Sequence, residues 1–245
     1  MQTTISSEFH HHAEIAEAEA ILRSCVHCGF CNATCPTYQL AGNELDGPRG
    51  RIYLIKEMLE GNSPTDKTQS HLDRCLTCRA CETTCPSGVQ YGRLVDIGRQ
   101  EIEKRVPRPV WQKIVRRGLL AVLPYPRRFA FVLGLGRMVR PLLPLSLQRK
   151  IPARQIRYPA NSPSCHPRKM LVLDGCVQPL TAPNINRAAA EVLDRLGITL
   201  ITAPRAGCCG ALNQHLADPG GAHDMMRRNI DAWWPYIEQG VEAIV

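Results

Sequence analysis

Residues 25–36 read Cys25-Val-His-Cys28-Gly-Phe-Cys31-Asn-Ala-Thr-Cys35-Pro36, and residues 75–86 read Cys75-Leu-Thr-Cys78-Arg-Ala-Cys81-Glu-Thr-Thr-Cys85-Pro86. Both follow C-x2-C-x2-C-x3-C-P. Each cysteine of the second run stands fifty residues after its counterpart in the first, and eight of the twelve cysteines are used this way. Three thiols within seven residues can face one object only where the chain turns tightly around it. The fourth is closed off by a proline, and the fixed φ of Pro36 and Pro86 is expected to turn the chain away there. The pattern predicts a duplicated ligand-binding unit.

Working outward, helical spacing surrounds the two runs. Ile15, Ala18, Ile21 and Leu22 recur on one face of an Ala/Glu-rich stretch, so residues 13–23 are expected to be helical. Residues 43–51 are turn-rich. A helix is expected over 52–59, with Ile52, Ile55 and Leu59 on one face and Gly61 as its stop. Further helices are expected from 69 to 74, leading into Cys75, and over 94–105, ended by Pro107.

Composition narrows the chemistry. Residues 1–20 have neither the basic start nor the apolar core of a signal peptide, and the run His10-His11-His12 reads as a solvated tail before it reads as a metal site. In a reducing compartment, close-set cysteines point to metal rather than disulfides. No apolar run approaches the roughly 18 residues of a membrane span. The net charge of +8 is local. No Asp or Glu falls between Glu103 and Asp174, and sixteen of the thirty Lys and Arg lie in that gap. Fourteen remain elsewhere, against all twenty-two acidic residues.

Zinc needs four ligands and favours paired C-x2-C units. Two runs of four, each closed by x3-C-P, exceed that need and have the ligand spacing of a protein with two [4Fe–4S] clusters, in which the fourth cysteine of each run serves the other cluster. That crossing puts Cys25, Cys28, Cys31 and Cys85 on one cluster and Cys75, Cys78, Cys81 and Cys35 on the other. Residues 1–106 thus read as an α-helical ferredoxin domain, because helices lead into and separate the runs. A zinc-stabilised interaction module with no redox role is the alternative of a different class.

Residues 107–168 hold ten of the nineteen prolines and two amphipathic stretches. Trp111, Ile114, Val115, Leu119 and Val122 stand against Lys113, Arg116 and Arg117, and Phe129, Phe131, Val132 and Leu135 follow. This is either a linker whose helices pack on its neighbours or a basic surface for an anionic membrane face or partner subunit. Nucleic acid fits less well, since no nucleic-acid motif accompanies the charge. From residue 169 the pattern becomes α/β: a strand at 170–174, a helix at 184–196 with Ile185, Val192 and Leu196 inward, and a strand at 198–202, probable neighbours in a parallel sheet. A helix is expected over 221–230, and 232–240 either continues it or forms a second. Cys176 and, thirty-one residues on, Gly207-Cys208-Cys209-Gly210 are either buried thiols or a third redox site, with the glycines letting the backbone come close to what the cysteines hold. Cys165 beside His166 reads as a spectator thiol. No Gly-rich dinucleotide fingerprint and no acid–base constellation is present, so substrate chemistry is expected on a partner.

The tandem cysteine runs followed by C-x31-C-C-G resemble the family that unites heterodisulfide reductase subunits, anaerobic glycerol-3-phosphate dehydrogenase C subunits and glycolate oxidase iron–sulfur subunits. The resemblance is greatest to the last of these, in 25–40, 44–56, 71–79 and 229–235. It covers essentially the whole chain and is weakest across 107–168. It implies an electron-transfer subunit of a cytoplasmic, inner-membrane-peripheral complex. Flavoprotein partners carrying FAD would oxidise glycolate to glyoxylate, with electrons passed towards the respiratory chain. Relatives serving lactate, glycerol 3-phosphate or a heterodisulfide are the alternatives. The family's cysteine-rich domain carries two repeats and closing cysteines that 169–245 does not reach. That segment is therefore expected to be the first half of an α/β CCG domain, whose complete form would offer a further cluster site.

Overall fold

The computed structural model describes residues 1–9, 13–156 and 165–245. The histidines 10–12 and the connector stretch 157–164 lie outside the described residues. In chain order the elements are α1 (Ala13–Ser24), α2 (Phe30–Ala33), α3 (Pro36–Ala41), α4 (Pro48–Leu59), α5 (Asp66–Asp73), α6 (Ala80–Thr83), α7 (Tyr91–Arg105), α8 (Val110–Val122), α9 (Pro126–Val139) and α10 (Leu145–Gln148). They continue as β1 (Arg168–Val172), α11 (Gln178–Thr181), α12 (Asn184–Arg195), β2 (Ile198–Thr202), α13 (Ala211–His215), α14 (Pro219–Glu238) and β3 (Ala243–Ile244). The chain packs as two units: Met1–Gln112 with His215–Ala217, and Lys113–Gln214 with Asp218–Val245.

In the first unit α7 is the central element, and α1, α4 and α5 all pack against it. The apolar positions of the expected helices meet here: Leu22 of α1, Ile55 and Leu59 of α4, Leu72 of α5 and Leu94, Val95 and Ile102 of α7 are wholly buried. Each such side chain contributes roughly 1.5–3 kcal/mol through removal from water. Gly98 lets α4 come close, since a Cβ there would stand 2.7 Å from Ile55. A capping box between Thr65 and Thr68 starts α5.

Several boundaries differ from the sequence expectation. Helix α4 begins at Pro48 rather than 52, and α3 begins at Pro36 instead of the chain turning away there. Both prolines occupy the first helical turn, where a missing N–H costs nothing and a fixed φ suits the helix. Helix α5 starts at Asp66 and α7 at Tyr91, each three residues before the expected positions.

The second unit holds a three-stranded parallel sheet in the order β2-β1-β3. Arg168 pairs with Ile198 and Val172 with Thr202, while Met170 pairs with Ala243. Leu171 and Ala203 are buried with Ala232 of α14. Residues 219–238 form one helix that runs through Pro235, and its start is capped by Asp218, which accepts from the Gly221 N–H. Helix α12 departs from expectation: Ile185, Val192 and Leu196 are exposed rather than turned inward. A sheet of three short strands has little face for that helix to cover. The connector helices likewise keep their apolar faces exposed, including Trp111, Ile114, Phe131 and Leu135.

Candidate functional site

The two cysteine runs share one backbone trace. His27 and Gly29 have φ of 59° and 87°, and their counterparts Thr77 and Arg79 have 52° and 57°. Left-handed residues on either side of Cys28 and Cys78 curl the chain around each of those cysteines. The Thr77 N–H donates to the Cys75 Sγ at 3.5 Å. Each run then closes with one helical turn, α2 or α6. The N–H groups of Cys35 and Cys85 donate to Asn32 and Glu82 carbonyls, each at 3.1 Å. The Thr34 hydroxyl donates to the Ala80 carbonyl at 3.3 Å and so ties the first run to the second.

Two recesses lie between the runs. One, with about 420 Å³ of free space partly open to solvent, is lined by Cys25, Cys28, Cys31 and Cys85 together with Pro86 and Ile52. The other, with about 290 Å³, is lined by Cys35, Cys75, Cys78 and Cys81 together with Arg51 and Thr37. Pro48, Cys81 and Tyr91 line both, so the recesses share a wall. Among the described residues no three His, Cys, Asp or Glu side chains close in as they would around a single ion. At least four thiols line each recess, a donor set that suits a cluster of several iron and sulfur atoms.

Two of these thiols lie deep enough for burial to act on their ionisation. Burial, then the neighbouring Cys25 and Cys85, push the Cys31 thiol up to about 11. Burial, then Cys75 and Cys31, push Cys81 up to about 12. The Tyr91 phenol is held well above its ordinary value, chiefly by burial and then by Cys75, and its hydroxyl donates to the Cys75 Sγ at 3.5 Å.

Groups that the sequence reading did not single out complete the two recesses. Beside the first, Arg49 donates to Glu44 at 2.6 Å, and Glu44 also accepts from the Asn32 amide at 2.9 and 3.0 Å. Beside the second, Asp46 is buried and accepts from His71 at 2.9 Å and Arg74 at 3.0 Å. Burial works to raise the Asp46 carboxyl, but His71 and Arg74 outweigh it and hold the group below its ordinary value. The Thr37 hydroxyl lies 3.2 Å from the Cys35 Sγ and 2.7 Å from the Asp46 carbonyl oxygen. Apart from His71 and Arg74, these residues lie within 32–51, and the Pro, Gly and charged residues of its turn-rich part, 43–51, were the available signal.

Of the remaining cysteines, Cys176 and Cys208 come within hydrogen-bonding distance and Cys209 lies near enough to act on Cys176. Burial, then Cys208, push the Cys176 thiol up to about 12. The Gly207 N–H donates to Asn229, whose amide donates to the Cys208 carbonyl at 3.0 Å. The flanking glycines admit α14 rather than a ligand: a Cβ on Gly210 would stand 2.8 Å from the Ala222 carbonyl oxygen, and one on Gly207 2.7 Å from Arg228. Cys165 is exposed.

Residues 21–89 match the 4Fe-4S dicluster domain family, and residues 170–245 match the cysteine-rich domain family. Over all 245 residues the chain is 55% identical to the glycolate oxidase iron-sulfur subunit of Escherichia coli (strain K12). It is 30% identical to the probable glycolate oxidase iron-sulfur subunit of Bacillus subtilis (strain 168) over 88% of its length. The chain spans 60% of the first relative and 54% of the second. No solved structure matches it significantly. A 4Fe-4S dicluster region followed by a cysteine-rich region, with similarity along the chain to part of the length of glycolate oxidase iron-sulfur subunits, is what this chain has in common with known proteins.

Proposed function

We propose that this chain is the electron relay of a glycolate-oxidising complex. In this reading Cys25, Cys28, Cys31 and Cys85 hold one [4Fe–4S] cluster, and Cys75, Cys78, Cys81 and Cys35 hold the other. The observation that carries it is the crossed lining of the two recesses: Cys85 of the second run joins Cys25, Cys28 and Cys31 in the first recess, Cys35 of the first run joins Cys75, Cys78 and Cys81 in the second, and Cys81 stands in the wall they share. Such clusters, when bound, accept and release one electron at a time. The chain's own residues bind the iron through thiolates and keep water from the shared wall with Pro48 and Tyr91. The Thr77 N–H and the Tyr91 hydroxyl, both on the Cys75 Sγ, favour the negative charge.

Around this relay the division is a ferredoxin domain at 1–106, a connector at 107–168 and a cysteine-rich segment at 169–245. In this reading Cys176, Cys208 and Cys209 form a third redox site. Flavoprotein partners carrying FAD oxidise glycolate to glyoxylate and deliver electrons that pass on towards the respiratory chain. Purified chain should contain about eight iron atoms and eight acid-labile sulfides, with a broad band near ~400 nm and reducible EPR signals. Colourless protein holding zinc would sink the relay. Reduction by the flavin partner with lactate but not glycolate would move the chain to a different complex.

The connector supports a peripheral seat on the cytoplasmic face of the inner membrane. Exposed Trp111, Ile114, Phe131 and Leu135 lie beside the basic residues Lys113, Arg116, Arg127 and Arg128. Among the described residues no single helix is long and apolar enough to cross a membrane, although the pair Val110–Val122 and Pro126–Leu142, bent by 113°, passes by length and composition. Co-sedimentation with vesicles containing phosphatidylglycerol, lost in Trp111→Glu, is the expected result. Equal binding to purely zwitterionic vesicles would remove the role of the basic residues.

A further inference from the structure

The second recess contains a charge that nothing else in the protein fully uses. The Arg51 side chain is wholly buried. Its Nε donates to the His71 carbonyl at 2.7 Å and its Nη1 to the Thr37 hydroxyl at 3.1 Å. Its Nη2 has no hydrogen-bond partner, and the Asp46 Oδ1 stands 3.7 Å away, beyond hydrogen-bond reach. Leaving a buried charged donor unmatched is costly, and this guanidinium lines the recess of Cys35, Cys75, Cys78 and Cys81.

We infer that Arg51 donates to a sulfur of the cluster held in this recess and thereby sets that cluster's reduction potential above that of its neighbour. The inference rests on the cluster assignment proposed above. One-electron reduction adds one negative charge to a cluster, and a buried positive donor stabilises the reduced form more than the oxidised one. Hydrogen bonds to the sulfurs and burial are recognised controls of potential. The second recess has both: the buried Arg51 guanidinium and the Tyr91 hydroxyl that donates to Cys75. The first recess has Arg49, but its side chain is one-third exposed and ion-paired with Glu44. The Met1 ammonium on the Cys25 and Arg23 carbonyls sits partly in solvent, where its field is screened. Arg51 is a tuning residue that acts on the cluster without exchanging electrons itself.

The test is an EPR-monitored redox titration with dithionite and mediators on the purified iron-loaded chain. In the unaltered protein the higher-potential signal should be the one that disappears in Cys78→Ser. In Arg51→Gln that signal alone should shift, its reduced-to-oxidised ratio at fixed ambient potential falling about tenfold or more. Arg51→Lys, which keeps the charge, should recover most of the loss. The inference is overturned if the higher potential belongs to the signal lost in Cys28→Ser, if Arg51→Gln leaves both midpoints unchanged, or if Gln and Lys shift the signal equally. If Arg51→Gln does not load, the unaltered protein and Arg51→Lys decide: any shift in Arg51→Lys must be confined to the Cys78-dependent signal and smaller than about tenfold, and a shift of the Cys28-dependent signal overturns the inference. An unaltered chain without two cluster signals would instead overturn the cluster assignment.

Discussion

The first cysteine run and its copy fifty residues on share a backbone and differ in what surrounds it. Both place left-handed residues on either side of the second cysteine, and both close on a single helical turn. Around this common cradle the first run has a half-exposed pair, Arg49 and Glu44, whereas the second has the buried group of Arg51, Asp46 and His71. Ligand geometry is thus carried by the repeated motif, while the electrostatic environment comes from the unrepeated chain between the runs. Duplication supplies two similar sites, and residues 43–74 make them different.

The largest expected effect breaks the crossing itself. Cys85→Ser and Cys28→Ser should remove the same EPR signal and bring bound iron from about eight to about four atoms per chain. Cys35→Ser and Cys78→Ser should remove the other. If Cys85→Ser instead abolishes the signal lost in Cys78→Ser, each run serves a single cluster and the crossed assignment is wrong.

Next come the two acidic partners. Asp46→Asn removes the negative member of a buried group and is expected to cost about 3–5 kcal/mol in chemical unfolding. Glu44→Gln touches a solvent-screened pair and should cost less than about 1 kcal/mol. Both carboxyls are held below their ordinary values in the folded protein: Glu44 chiefly by Arg49, Asp46 by His71 and Arg74 against the pull of burial. Their stabilisation is therefore full above the unfolded carboxylate pKa of about 4 and is lost as pH falls through the folded value. Acid unfolding curves should lose more of this pH dependence in Asp46→Asn than in Glu44→Gln. Equal losses would mean that burial does not separate the two sites.

The backbone comparison is subtler. Gly29 has φ of 87°, and a Cβ there would stand 2.5 Å from the Arg49 Nη1. Gly29→Ala should therefore destabilise by about 1–2 kcal/mol. Arg79 already carries a side chain at φ 57°. Arg79→Gly relieves the left-handed strain but gives up contacts, so thermal unfolding should change by less than about 1 kcal/mol. A destabilisation by Arg79→Gly as large as that by Gly29→Ala would show that the side chain, not the φ angle, governs this turn.

Much of this was legible because cysteine spacing is short-range. Two runs with a fixed offset announce two sites, and Ile55, Leu59 and Leu94 fall on helical spacing that the core then uses. The extra first turn of α4 was harder to read, since Pro48 and Gly50 look like loop until Pro48 is seen at the first helical position. The buried charge group was not legible at all. Asp46, Arg51 and Arg74 are brought together by folding over as many as 28 residues, and nothing local marks Arg51 as buried rather than as the solvated face of its helix. The outward side of α12 also escaped, because helical periodicity identifies an apolar face without saying whether anything covers it.

The smallest expected effect concerns the single carbonyl that joins the runs. The Ala80 carbonyl oxygen has the Thr83 hydroxyl at 3.0 Å and those of Thr34 and Thr84 at 3.3 Å each, and the Thr34 hydroxyl shares its one proton with the Cys31 carbonyl, also at 3.3 Å. A carbonyl oxygen has two lone pairs, so the three donors compete for two places. Removing one hydroxyl leaves the oxygen satisfied, and Thr34→Val or Thr84→Val alone should cost less than about 0.5 kcal/mol. Removing both leaves only Thr83, and the double variant should cost more than the sum of the singles by about 0.5 kcal/mol or more. Thr34 belongs to the first run and the other two threonines to the second. A double-mutant cycle that closes with no coupling would mean that the two runs hold their shapes independently, while a positive coupling would measure how far one cradle depends on the other.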